Sequence, residues 1–345
     1  MRESVGDDLA ACRRLLRGGS RSFFAASLLL PRRVRRPATA LYAFCRVADD
    51  LIDLDGSAEA LDVLHRRLGL IYAGRPTPEP VDRALAHVVA RHRIPRVLLD
   101  RLLEGFSWDS EGRRYEDLPA LHAYAARVAG TVGAMMALLM DVRSPGTVAR
   151  ACDLGMAMQL TNIARDVGED AQAGRVYLPL CWMREEGLDP DSWLARPVPS
   201  PALARVIARV LAEAARSYAR ADWGIAALPF AYRAGTGTAR RLYAEIGQEV
   251  ARNGYDSVRT RARVRLPRKL ALAGRSLVAA PWPSPPGSAP PLECTRELVN
   301  AACASRAIAV TPGQRVRRFE ERIIWLLTLF SELDQRQVRA ADHSG

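Results

Sequence analysis

Lysine is almost absent from this chain. Of its 50 basic residues only Lys269 is a lysine and the rest are arginine. Such a bias reflects a GC-rich coding sequence, so the abundance of arginine carries little functional weight, while the solitary lysine marks a position. Paired cysteines are missing too. None of the six (Cys12, Cys45, Cys152, Cys181, Cys294, Cys303) forms a CxxC, so zinc-ribbon and dithiol redox chemistry are excluded. The opening "MRESVGDDLAACRRLLRGG" is charged throughout and has no apolar signal region, so reduced thiols and a cytoplasmic location are expected. No run reaches the roughly 18 uncharged apolar residues that a membrane span requires, which leaves a soluble chain or one resting on a membrane face. The five histidines form no HExxH, and "GTGTAR" (Gly235 to Arg240) follows no strand, so it is no dinucleotide fingerprint. Aromatic residues make up 6%, without the aromatic–basic interleaving of an RNA-binding module, so no nucleic-acid partner is expected despite a net charge of +12 and a pI of about 10.0. That charge suits an anionic membrane surface or an anionic substrate equally well.

What is present is helix after helix. "RPATALYAFCRVADDLIDL" is rich in Ala and Leu at helical spacing, with Pro37 fitting a helix start. "SAEALDVLHRRLGLIYAG" places Leu61, Leu64, Leu68 and Ile71 on one face and stops at Gly74. Similar periodicity continues to about residue 278, and no segment alternates as a strand does. The expected class is all-α, with one helical domain over residues 1–278. Residues 279–293, "AAPWPSPPGSAPPLE", form a Pro-rich linker. A tail over 294–345 carries an amphipathic helix at about 314–335, with Phe319, Ile323, Leu326, Leu327 and Phe330 on one face. It reads either as an extra helix docked on the domain or as an interfacial anchor bearing Trp325 and flanking arginines.

Two acidic stripes stand out. In "QLTNIARDVGED" each residue turns about 100°, so Gln159, Asn162 and Asp170 all fall within about 40° of Asp166 while Leu160, Ile163 and Val167 point elsewhere. In "LYAFCRVADDLID" Asp49 and Asp53 share a face, with Asp50 beside them and Arg46 flanking. Like charges at i and i+4 cost a few tenths of a kcal/mol on an exposed helix, and more when they face a cavity, unless a cation neutralises them. Mg²⁺ is the natural candidate, because it favours oxygen donors and commonly combines one or two carboxylates with substrate phosphates. A lone DxxxD is usually a solvated helix face. Two such motifs with flanking arginines point instead to a metal–diphosphate clamp, in which Arg21, Arg46 and Arg165 could neutralise the remaining oxygens.

"SRSFFAASLLLPRRVRRPATALYAFCRVADDLID" and "AMQLTNIARDVGEDAQAGRVYLP" resemble the squalene/phytoene synthase family of head-to-head prenyl transferases. "YAARVAGTVG" (Tyr124 to Gly133) and "NGYDSVRTRARVRLPRK" resemble two further blocks of that family, and the likeness covers roughly residues 18 to 275 in order. The resemblance implies an isoprenoid-synthase-type helical domain around a central cavity. It implies that Asp49, Asp53, Asn162, Asp166 and Asp170 hold Mg²⁺, with Mn²⁺ as a substitute. By the same likeness Ser20, Arg21, Arg46, Gln159, Arg165, Tyr255 and Lys269 contact diphosphate, and Tyr124 lines the cavity. Ala126 departs from the family, many of whose members carry Tyr there. The implied reaction ionises one prenyl diphosphate, alkylates the cation to a cyclopropylcarbinyl diphosphate, and rearranges that to a triene. A squalene-forming variant would also consume NADPH, which is not expected here. A non-catalytic assembly factor of the same fold would be expected to have lost its metal aspartates, and both sets are retained.

Chain length follows from what lies beneath the acids. Ala38 and Thr39 on the Asp49 helix, and Ser27 on the Ser20 segment, are small where a bulky ring would shorten the pocket. A C20 substrate, geranylgeranyl diphosphate, is therefore expected, with phytoene as product and a C15 substrate as the alternative. The same positions also suit plain helix packing.

Overall fold

The computed structural model describes residues 2–18, 29–55, 58–279 and 289–305, with side chains from residue 7 onward and excluding those of residues 16–18, 53–55, 58 and 279. The described residues contain helices and turns and no strand. The helices are α1 (Arg2–Gly18), α2 (Arg32–Asp55), α3 (Ala58–Tyr72), α4 (Pro80–His92), α5 (Arg96–Ser110), α6 (Leu118–Ala125), α7 (Thr131–Leu139) and α8 (Pro145–Gln172). They continue with α9 (Leu180–Glu185), α10 (Pro190–Ala195), α11 (Pro201–Ala227), α12 (Phe230–Arg252), α13 (Leu266–Ala279) and α14 (Arg296–Ala304). Ser20, Arg21, Ser27 and the amphipathic stretch 314–335 lie outside the described residues.

Local chemistry sets many of the boundaries. Ser200 accepts a hydrogen bond from the backbone N–H of Leu203 at 3.1 Å, and Pro201 follows it at the first turn of α11. Asp117 caps α6 through Ala120 N–H at 2.9 Å. Gly74, with φ of 71°, ends the chain's run through α3 where the sequence places the stop. The α2 helix begins at Arg32, more than a turn ahead of the start expected at Pro37. Backbone bonds from Val34 and Arg35 to the Pro31 carbonyl close that first turn, and Pro37 lies inside the helix in its second turn, where its missing N–H leaves the Arg33 carbonyl without its usual intrahelical donor.

The longest helix, α8, is about 42 Å long at 1.5 Å per residue. Its first half, through Val148, Ala149, Cys152 and Met156, packs into a core shared with α2 to α5 and α7. Its second half, through Leu160, Ile163, Ala164 and Val167, packs into a second core with α11 and the Tyr115–Tyr124 segment. Two glycines let α7 and α8 approach until backbones touch. A Cβ at Gly133 would lie 2.1 Å from the Ala151 carbonyl oxygen, and one at Gly155 would lie 2.1 Å from that of Ala129. This is the physical content of the "ARVAGTVG" segment, whose first part, Ala126–Gly130, is a wide π-type turn between α6 and α7.

Beyond the Pro-rich stretch the chain returns to the same body. Leu298, Val299 and Ala302 of α14 are buried in the first core. Arg150 donates to the carbonyls of Ala289 (2.7 Å) and Pro290 (3.2 Å), and Arg220 also reaches Pro290 (2.7 Å). Both guanidiniums pair with the fully buried Asp153, at 2.7 and 3.0 Å.

Candidate active site

A cavity of about 360 Å³ runs between α2, α7, α8, α11 and α12. Its walls are apolar: Ala38 and Leu41 from α2, Val132, Met136 and Met140 from α7 and the residue after it, Leu154 and Met158 from α8. At one end the lining turns polar, with Tyr42 and Cys45 from α2 meeting Gln159 and Asn162 from α8. Helical spacing carries Asp49 and the pair Asp166 and Asp170 onward past those residues, so both acidic stripes run to the same end of the cavity.

The carboxylates of α5 and α8 influence one another electrostatically. Asp170 is pushed up to about 7, first by burial and then by the charge of Asp166, with Asp109 contributing. Asp109, at the C-terminal end of α5, is itself raised to about 6, chiefly by burial, and it feels Asp49. Asp109 is therefore within electrostatic range of Asp49 on α2 and of Asp170 on α8. Its two oxygens accept hydrogen bonds from the hydroxyls of Tyr124 (2.9 Å) and Tyr177 (2.7 Å). Those rings stack on each other with centroids 5.2 Å apart, and Tyr115 packs against both at 5.0 and 6.1 Å. Sequence reasoning missed Asp109 and Tyr177, because neither belongs to a spaced pair. In "RVLLDRLLEGFSWD" Asp109 is one of three acids, beside Asp100 and Glu104, and nothing in the sequence singles it out.

Arginines neutralise the remaining charge. Arg46 bonds Asp50 at 3.0 Å and lies 3.6 Å from Asp49. Asp166 carries two guanidiniums, Arg165 (2.7 and 2.5 Å) and Arg261 (2.9 and 3.3 Å), and Arg261 also reaches Glu169 at 3.2 Å. Arg261 arrives from the turn after α12, and glycine makes that possible. A Cβ at Gly168 would lie 2.4 Å from the Val258 carbonyl, and the Gly168 N–H donates to Ser257 O at 2.9 Å. Two consecutive left-handed residues, Gly254 (φ 66°) and Tyr255 (φ 60°), turn the chain onto α8 at this point.

The expected site residues thus separate into groups. Gln159 and Asn162 line the cavity, Arg46 lies beside Asp49 on α2, Arg165 pairs with Asp166 on α8, and Asp170 feels the charge of Asp166. Asp53 lies in α2, with its side chain outside the described set. Tyr255 is half-buried against the second core, and Lys269 lies in the first turn of α13. Tyr124, expected on the cavity wall, is buried, with its hydroxyl donating to Asp109. Ala38 lines the cavity, whereas Thr39 does not. Turned about 100° from Ala38, Thr39 is buried, with its hydroxyl donating to the Arg35 carbonyl at 2.8 Å.

The donor set fits a hard divalent cation. Asn162 Oδ1 is buried without a hydrogen-bond partner, an arrangement that costs free energy until a donor or cation meets it. Asp170, raised to about 7, holds its proton close to neutrality unless a positive charge offsets burial. Among the described residues no three Asp, Glu, His or Cys side chains form a complete metal cage. That pattern suits a cation shared between a few protein oxygens and substrate phosphates.

The comparisons with known proteins agree with this geometry. The family model for squalene/phytoene synthase matches residues 16–269. A phytoene synthase of Cereibacter sphaeroides is 52% identical over 316 residues, covering 87% of this chain and 89% of that protein. A 15-cis-phytoene synthase of Pantoea ananas is 38% identical over 284 residues, covering 78% and 92%. A crystal structure of a dehydrosqualene synthase in complex with a ligand is similar with a TM-score of 0.72 and 31% identity, over 79% of this chain and 96% of that one.

Proposed function

The chain belongs to the squalene/phytoene synthase family, and from that premise we propose that it joins two geranylgeranyl diphosphates head to head to make phytoene. An apolar cavity with Gln159 and Asn162 at one end, toward which helical spacing carries the acids of α2 and α8, supports this reading. The C20 substrate is favoured by the relatives: proteins named phytoene synthase are 52 and 54% identical, against 31% for the dehydrosqualene synthase structure.

The reaction consumes two C20 diphosphates and yields phytoene, two diphosphates and two protons. The C1–O bond of the donor breaks, and its electron pair leaves with the diphosphate. The acceptor's double bond then attacks C1, and proton loss closes a cyclopropylcarbinyl diphosphate. That intermediate loses the second diphosphate, rearranges to join the two C1 carbons, and gives up a proton to form the central double bond.

The residues present would serve these steps as follows. Asp49, Asp53, Asn162, Asp166 and Asp170 would hold Mg²⁺, which when bound offsets charge on the departing diphosphate. Arg46, Arg165 and Arg261 stand close enough to these acids to neutralise further phosphate oxygens. Val132, Met136, Met140 and Met158 present no nucleophile stronger than a thioether to an allylic cation, and they exclude the water that would quench it. Arg150, at the inner end, keeps its charge away from the cation through its pairing with Asp153 and the carbonyls of 289 and 290.

The test is product analysis by mass after incubation with C15 and C20 diphosphates separately, with and without Mg²⁺ and NADPH. A C40 triene formed from the C20 substrate, dependent on Mg²⁺ and indifferent to NADPH, is the expected result. Diphosphate release that persists in both Asp49→Asn and Asp166→Asn would defeat the metal-clamp reading.

A further inference from the structure

We infer that the junction of α1, α2 and α4 is a second ligand site, built to bind the phosphate group of an organic phosphate ester. The inference is independent of the chemistry proposed for the prenyl cavity.

A pocket of about 310 Å³ opens there. Arg32, Arg33 and Arg36 enter it from the start of α2, and Arg83 and Arg91 from α4. Among the described residues lining the pocket the one carboxylate is Asp8 of α1, and it is already paired with Arg83 at 3.1 Å. Arg33 lies over the Tyr232 ring, 5.2 Å from its centroid. Arg32, Arg36 and Arg91 have no hydrogen bond or ion pair among the described residues, and all three are exposed. Among the described residues the charge of Arg32, Arg36 and Arg91 is therefore not consumed by carboxylates, whereas Arg165 and Arg261 are paired with Asp166.

A second observation points to a bound group. His92 lines the same pocket and is 6% exposed, yet neither of its ring nitrogens has a hydrogen-bond partner. Its backbone is held in place by Arg143, which donates to its carbonyl at 2.9 Å. Burial favours the neutral imidazole, which offers one N–H donor and one acceptor. A phosphate oxygen satisfies that donor, and several guanidiniums around one tetrahedral dianion is the arrangement arginine clusters use for phosphate. Leu9, Pro37 and Val88 supply apolar wall for the organic part of the ligand.

The pocket is separate from the diphosphate mouth. Arg32 and Asp49 lie 17 residues apart on α2, about 25 Å along the axis. It backs instead onto the inner end of the reaction cavity, since Pro37 faces one space and Ala38 the other. Two sources could present the phosphate, a phospholipid headgroup or a soluble phosphate ester.

The experiment compares the full-length protein with an Arg32→Gln/Arg36→Gln/Arg91→Gln variant and with His92→Phe. One arm measures sedimentation with phosphatidylcholine vesicles containing or lacking phosphatidylglycerol. The other measures calorimetric binding of glycerol 3-phosphate, with glycerol as control. Each exposed arginine near an anionic phosphate contributes about a factor of five, so the triple variant should bind on the order of a hundredfold more weakly. His92→Phe should also weaken binding, and prenyl turnover of detergent-dispersed substrate should stay unchanged in the triple variant. Loss confined to the vesicle arm assigns a lipid headgroup, and loss confined to glycerol 3-phosphate assigns a soluble ester. Equal behaviour of wild type and triple variant in both arms overturns the inference, as does absence of binding in both.

Discussion

Replacing Asp109 with Asn should make the protein more stable above neutral pH. The carboxyl is raised from its ordinary 3.8 to about 6, chiefly by burial, with Asp49 adding to the rise and the hydroxyls of Tyr124 and Tyr177 opposing it. A carboxyl with a raised folded pKa binds its proton more tightly folded than unfolded. The folded state therefore loses stability as pH climbs from about 4 to about 6, and it stays penalised above that. A rise of roughly 2 units corresponds to about 3 kcal/mol at about 1.4 kcal/mol per unit. Asn keeps the shape and one acceptor oxygen but never ionises, so it escapes the penalty. For a chain of this size about 3 kcal/mol shifts the midpoint of thermal unfolding by about 5 °C. The assay is thermal denaturation of wild type and Asp109→Asn, in the presence of a chelator, from pH 4 to pH 8. The two curves should meet near pH 4, separate through pH 6, and run parallel with the variant higher above that. Turnover of the variant should fall tenfold or more, as befits a charge retained for function at the expense of stability. Curves that stay superimposed to pH 8 would refute the argument, as would a variant that is less stable throughout.

Metal affinity should also depend on pH. Asp170 titrates at about 7, raised first by burial, so Mn²⁺ affinity measured without substrate should drop about tenfold per pH unit below that value. Flat affinity between pH 5 and 7 would show that Asp170 is not a ligand. Gly168→Val should drive a side chain into the Val258 carbonyl, now 2.4 Å from the Cβ position, and lift Arg261 from Asp166. The expected result is a KM for diphosphate substrate raised about tenfold, matched by Arg261→Ala, with helical content by circular dichroism preserved. Ala38→Phe should fill the inner cavity and shift preference toward the C15 diphosphate, whereas Thr39→Phe should cost stability without changing that preference. Competition between C15 and C20 substrates, read by product mass, separates the two.

The helical class, the absence of strands, and the pairing of acids at i and i+4 are written in the local pattern. Periodicity depends only on neighbours along one helix, and α3 runs almost where Leu61, Leu64, Leu68 and Ile71 place it. Glycine positions were legible as a motif, but not their reason. That Gly133 and Gly155 let two backbones touch is a fact about α7 meeting α8. Thr39 illustrates the limit of a helical wheel. One step of about 100° from Ala38 takes it off the cavity wall, and nothing in the sequence says which side of α2 faces inward.

By itself the sequence determined which side chains share a helix face, and hence that Asn162, Asp166 and Asp170 act as one group and Asp49 as part of another. Only tertiary structure decided that α2 and α8 border one apolar chamber, that Asp109 feels the charge of Asp49, and that Arg261 travels 95 residues to reach Asp166. The reason is physical: a helix fixes its own angles through bonds four residues long. Which charges meet across space depends instead on how whole helices pack, and therefore on cores and close contacts distributed along the entire chain.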